Sequence, residues 1–304
     1  MAVLAPRPLA ATFRTALAAP TLLLATGGLL AVTVLISKLA ADRGADMLWF
    51  LFAIFAGAGS VLAVAEAVAG RLRGAGRSLP YAAGAGLLAA GPSAMGYLAV
   101  GHVGAGYLSL AFAFPVLLTY LLALPLGLDR ASPAKVLAVA AGLAGGAMLA
   151  AGKSTDGTSG AGWLVLASAM PFLLAAGNVY RTLYWPRDAA PGPLAALTLL
   201  AGAAAALPVA LAVEGAPGLD RQSLTLAAIG AVAFAAQYLL LFRLQRLAGP
   251  VYLSQIGAVA AVLGAGLAVA VLGESLPDRI LPAALLIAAG IAVFQAERAR
   301  GAKR

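Results

Sequence analysis

GAGYLSLAFAFPVLLTYLLALPLGLD, residues 104–129, and GPVYLSQIGAVAAVLGAGLAVAVLGE, residues 249–274, begin and end alike. Gly104, Tyr107, Leu108 and Ser109 of the first recur as Gly249, Tyr252, Leu253 and Ser254 of the second, an offset of 145 in a chain of 304 residues. Each stretch opens an apolar run that closes on Leu-Gly and then an acid: Leu126, Gly127 and Asp129, then Leu272, Gly273 and Glu274. A Gly/Ala-rich run follows each copy, with Gly145 and Gly290 at the same offset. A recurrence at half the chain length predicts an internal repeat, with halves over 1–152 and 153–304.

The composition says what surrounds these runs. The chain is 62% hydrophobic and only 10% charged, with a mean hydropathy of +0.97. An average soluble domain is about 45–50% apolar and about 25% charged. Twenty Lys and Arg and eleven Asp and Glu cannot give a globule of this size its polar skin, which excludes a soluble enzyme. The 36 Gly and 17 Pro lie inside apolar runs without a three-residue period, which excludes a disordered or collagenous chain. Basic residues fall in short clusters between the runs and form no stripe with aromatics, so the charge of +9 is read as membrane topology and no nucleic-acid partner is expected. With no Cys and one His (His102), neither a thiol nor a metal centre is expected, and no cofactor is called for.

Runs of about 20 apolar residues can cross the hydrocarbon core as helices. Ten are expected, at 17–38, 47–69, 79–99, 103–126, 134–152, 161–183, 192–213, 223–242, 250–272 and 279–296. An even number puts both termini on one side. Fifteen of the twenty Lys and Arg fall on that side, Arg181, Arg243 and Arg246 among them; Lys38, Arg43, Lys153, Arg221 and Arg279 fall on the other. The positive-inside rule then predicts cytoplasmic termini and a multi-pass protein of the inner membrane. Five helices per half is an odd number, so the halves must be inverted relative to one another, an architecture that transporters use to rock about a midplane site.

In this layout the chain resembles the drug/metabolite transporter superfamily in its ten-helix, EamA-type form. The likeness rests on the paired fourth and ninth runs, on Pro115 within Ala-Phe-Pro-Val-Leu-Leu-Thr, and on Leu272-Gly273-Glu274 with the short Gly-containing run after it. Two family features differ: Thr26-Gly27-Gly28 stands where a Trp-Gly is usual, and Gly127-Leu128-Asp129 where a Gly-Glu is usual. The resemblance implies a central cavity lined by runs one, three, four, six, eight and nine.

Polar placement agrees with that lining. Thr26, Leu30, Thr33 and Ser37 share a face of run one at helical spacing. Ser93 and Tyr97 stand one turn apart on run three; run four offers Tyr107 and Phe114, and run six carries Trp163 and Asn178. Run eight offers Gln237 and Tyr238, and run nine Tyr252 and Gln255, whereas runs five and ten are almost bare of polar side chains. The candidate substrate-binding set is thus Thr26, Thr33, Ser93, Tyr97, Tyr107, Trp163, Asn178, Gln237, Tyr238, Tyr252 and Gln255. Each has a plainer reading. Hydroxyls in membrane helices bond back to a carbonyl one turn earlier, and Trp49, Tyr81 and Trp185 fit an interfacial belt. His102 is read as an interfacial residue of a tight turn, and Pro92, Pro115 and Pro171 as candidate helix breaks. A buried amide must find partners or water, which favours Asn178, Gln237 and Gln255.

The acid well inside a span is Glu66, near the end of run two, and no carboxylate falls mid-span on a cavity run. A proton-for-cation exchanger needs one. The expected activity is therefore carriage of a small uncharged or zwitterionic metabolite, with no enzymatic step. Amino acids, aromatic ones included, are favoured by the tyrosines and by similarity to bacterial exporters of this superfamily. A nucleoside, sugar or lipophilic drug is the alternative cargo. An integral-membrane lipid-modifying enzyme is a remote one, because the acids are dispersed. Partners are the solute and membrane lipids. A Gly142-x-x-x-Gly146 motif is read as packing within a monomer.

Overall fold

The computed structural model describes residues 9–128, 131–155, 160–274 and 280–301. Every regular element among them is helical. The α-helices are α1 (Leu9–Ala41), α2 (Met47–Val68), α3 (Leu79–Val103), α4 (Ala105–Ala111), α5 (Pro115–Ala123), α6 (Pro133–Thr155), α7 (Ala161–Leu183), α8 (Pro191–Val213), α9 (Arg221–Leu253), α10 (Ile256–Leu272) and α11 (Ile280–Gly301). Seven helical stretches among the described residues are long and apolar enough to cross a bilayer. Large apolar side chains face outward along them, with Val165 68% and Val64 63% exposed, while Glu66, Asn178 and Arg181 are buried. An apolar exterior of that extent belongs in lipid. The chain is a multi-pass α-helical membrane protein.

The spans and breaks read from the sequence are revised in detail, although the break at Pro115 is present. Run four is not one helix. Pro115 has no N–H to give the Ala111 carbonyl, and the chain turns through Phe112–Phe114, with the Phe114 amide reaching Ala111 O at 3.2 Å, before α5 resumes. Runs eight and nine are not divided at 243–249. The helix α9 continues through Arg243, Gln245, Arg246 and Pro250, and the break falls at Ser254–Gln255. Its 33 residues span about 50 Å, well beyond a hydrocarbon core of about 30 Å, so its charged turns need not lie in lipid. Pro92 and Pro171 lie inside unbroken helices. The belt residues also turn inward: Trp49 is buried with its indole N–H on Gly215 O at 3.0 Å, and Tyr81 stacks on Tyr180.

Packing follows a reciprocal scheme. The helix α2 lies along α8, α6 along α11, and α4 against α10. Around them α1 packs on α9 and α10, as α7 packs on α3 and α5; α8 packs on α3, as α2 packs on α9. Close approach between α3 and α8 depends on Gly86 and Gly202, since a Cβ on Gly86 would stand 2.8 Å from the Thr198 carbonyl oxygen.

Acids fasten the helix ends. The Glu214 carboxylate, beyond the end of α8, accepts from the Leu48 and Trp49 amides that open α2, at 3.0 Å each. Glu274, beyond α10, accepts from the Ala105 and Gly106 amides of α4 at 2.9 Å. Both neutralise helix N-termini whose amides have no partner within the helix. At the opposite end of α2, Glu66 pairs with Arg71 and lies against Gly192 at the start of α8. The helices α2 and α8 are therefore antiparallel.

Candidate functional site

The helices enclose a central cavity of about 100 Å³. Among the described residues it is bordered by α1, α3, α4, α5, α7, α9, α10 and the two breaks, and by none from α2, α6, α8 or α11. On α1 these are Leu30, Thr33, Val34 and Ser37; on α3 they run from Leu88 to Tyr97. Both helix breaks reach the cavity, one through Phe112 and Pro115, the other through Ser254, Ile256 and Gly257. The breaks also cross: the Gly257 Cα packs so closely on the Phe112 carbonyl oxygen that an added Cβ would stand 1.6 Å from it.

Six of the eleven sequence candidates border this cavity: Thr33, Ser93, Tyr97, Asn178, Gln237 and Tyr238. Thr33 donates back to Leu30 O at 2.8 Å and lies 3.3 Å from Gln237 Oε1, linking α1 to α9. Tyr238 stacks with Phe234 at 4.9 Å between centroids, forming an aromatic wall. Tyr97 is buried, and its hydroxyl has no hydrogen-bond partner among the described residues.

The other five sit elsewhere. Thr26 is fully buried and spends its hydroxyl on Leu22 O at 2.6 Å. Tyr107 meets Ser168 Oγ at 3.1 Å, tying α4 to α7. Trp163 stacks face to face on His102, centroids 4.1 Å apart, which joins the ends of α3 and α7. Tyr252 packs with Leu244, Leu253 and Ile256, and Gln255 is buried at the second break without bordering the cavity.

The charged residue on the cavity border was absent from the candidates. Arg181, placed by the sequence reading in a cytoplasmic cluster, lies within the last turn of α7 and is only 5% exposed. Its Nε donates to Gln245 Oε1 at 3.0 Å and one terminal nitrogen to Asn178 Oδ1 at 2.6 Å. Gln245 in turn donates to Thr182 Oγ1 at 3.1 Å and to Asn178 O at 3.3 Å, and the Asn178 amide nitrogen reaches Thr119 Oγ1 at 3.4 Å. The signal was present in the spacing: Met170, Leu174, Asn178 and Arg181 follow helical periodicity, and all four border the cavity.

No family model matches the chain, and no curated relative does. Seventeen solved chains match. One of them, described only as "Crystal structure of protein", superposes with a TM-score of 0.61 over 90% of this chain and 98% of its own, at 20% identity. It shares the fold.

Proposed function

We propose that the protein is a secondary carrier of the drug/metabolite transporter type, moving a small uncharged or zwitterionic metabolite through the central cavity by alternating access. Ten membrane passes in two inverted halves, with cytoplasmic termini in the inner membrane, complete this reading. Run four would be the broken pair α4–α5, and run nine the end of α9 with α10. The observation that carries it is the origin of the lining. Three pairs of elements supply it, each pair with one member per half: α1 and α7, α3 and α9, α4–α5 and α10. The reciprocal packing of α2 on α8 supports the same arrangement. A site between two inverted halves, edged by broken helices, is how carriers place a substrate where either half can uncover it.

Counterflow in proteoliposomes tests the reading. Vesicles are preloaded with unlabelled amino acids, and labelled phenylalanine or threonine is added outside without an ion gradient. Transient accumulation above protein-free vesicles is expected. If folded protein gives none, with nucleosides, sugars and lipophilic cations also failing, the carrier reading falls. Marked acceleration by an imposed pH gradient would refute carriage without proton coupling.

A further inference from the structure

Arg181 carries a charge that no described residue neutralises. The ion pairs among the described residues are Lys38–Asp42 and Glu66–Arg71, and no described carboxylate lies within 4.0 Å of the Arg181 guanidinium. Its two hydrogen-bond partners are neutral amides. A guanidinium has five N–H donors, so three of them meet no acceptor among the described residues. Burying an ion in that condition is costly unless something else supplies the opposite charge. A basic residue in a last helical turn ordinarily serves the terminal carbonyls. Arg181 instead points its bonded donors across to Gln245 on α9 and to the Asn178 side chain, and it borders the cavity.

We propose that Arg181 is the anion subsite of this cavity and that the solute presents a carboxylate to it, an assignment that rests on the carrier reading above. The fork is held before any solute arrives, because Gln245 and Asn178 are themselves fixed by Thr182 and Thr119. Bidentate recognition of a carboxylate is what a pre-oriented guanidinium does best. Tyr97, whose hydroxyl has no partner among the described residues, also borders the cavity. The remaining lining (Leu30, Val34, Leu88, Phe234 and Leu241) suits a small apolar body. No described acid borders the cavity, so an ammonium group finds only neutral acceptors and ring faces there. The carboxylate is the group this site selects.

The test compares labelled phenylalanine, threonine and 3-phenylpropanoate with phenylalaninol, threoninol and uridine. Two readouts are taken on the whole protein, counterflow in vesicles and thermal stabilisation in detergent. The wild type should favour at least one carboxylate over its neutral partner by tenfold or more in both readouts. Arg181→Gln should abolish that preference, and Arg181→Lys, which keeps charge without the fork, should retain part of it. Equal handling of neutral and carboxylate solutes, no response to any carboxylate in either readout, or a preference surviving in Arg181→Gln would overturn the assignment. Stabilisation by a carboxylate without any counterflow would leave the subsite standing and remove the carrier. Should the variants fail to fold, modification of wild-type Arg181 by phenylglyoxal decides: protection by 3-phenylpropanoate supports the subsite, and no protection by any of the three carboxylates refutes it.

Discussion

The crossing of the two helix breaks offers a sharp test of the packing. Replacing Gly257 by Ala puts a methyl group 1.6 Å from the Phe112 carbonyl oxygen, where real contacts stay beyond 3.0 Å. The two segments must part by roughly 1.4 Å, and neither neighbour can yield by rotating a side chain because both are backbone. Overpacking of this kind costs about 1–3 kcal/mol, and a backbone clash belongs at the upper end. Gly266 lies on the same helix with nothing within 4 Å of its added Cβ. Ala there is free to gain helix propensity, at most about 1 kcal/mol. The two variants should therefore differ by about 3 kcal/mol, or about 5 °C in midpoint for a chain of this size. Thermal denaturation in a mild detergent, followed by loss of the monomer peak in size-exclusion chromatography, measures it. A Gly257→Ala protein as stable as Gly266→Ala would mean that α10 does not rest on the Phe112 backbone.

Further outcomes follow from the fastened helix ends. Glu274→Ala leaves the Ala105 and Gly106 amides without their acceptor and should cost about 1–3 kcal/mol, lowering the midpoint, while Glu274→Gln should recover part of it. Equal midpoints for the two variants would refute the cap. In the Glu66–Arg71 pair the side chains are 5% and 55% exposed, so the partners are not equivalent. Arg71→Gln strands a buried carboxylate and should destabilise more than Glu66→Gln, and the double variant should recover most of the loss; additive losses would refute this. Asp220 caps α9 through the Ser223 amide at 2.8 Å, and the side-chain and backbone hydrogen bonds of Ser223 hold its pKa below the usual 3.8. A depressed folded-state pKa stabilises above the unfolded value and loses that effect as pH falls through the folded one. The stability gap between wild type and Asp220→Ala should hold from neutral pH down to about 4 and narrow below it; a gap constant to pH 2.5 would exclude the ionised cap.

The readable and unreadable parts of the molecule divide along physical lines. Runs at 161–183 and 192–213 match α7 and α8 to within a residue, because polar or turn-forming residues stand at their ends. Run four was legible as apolar, with Pro115 marking where it breaks, but Pro92 and Pro171 gave the same signal inside helices that stay continuous. The α9–α10 boundary misled because Arg243, Gln245, Arg246, Gly249 and Pro250 read as a loop. Charge and a single Pro do not end a helix that has tertiary support. Arg181 was assigned by its place along the chain, whereas its side chain's destination depends on how α7 is rotated against α9. Thr26 shares a face with Thr33 and Ser37, yet only the latter two border the cavity, since facing inward along a long helix does not fix the depth at which a cavity opens.

Phe112 and Gly257 are separated by 145 residues, the spacing of the repeated Gly-x-x-Tyr-Leu-Ser segments, and they touch one another. On the two-halves reading they occupy matching positions on the dyad that relates the halves. Two separate copies of a five-helix unit would bring the same residue to that point twice: paired phenylalanines would collide, and paired glycines would leave a gap. Joining the copies in one polypeptide removes that constraint, and the chain carries a bulky ring on one side of the axis and bare backbone on the other. The cavity then receives its ring at this level from the first half alone.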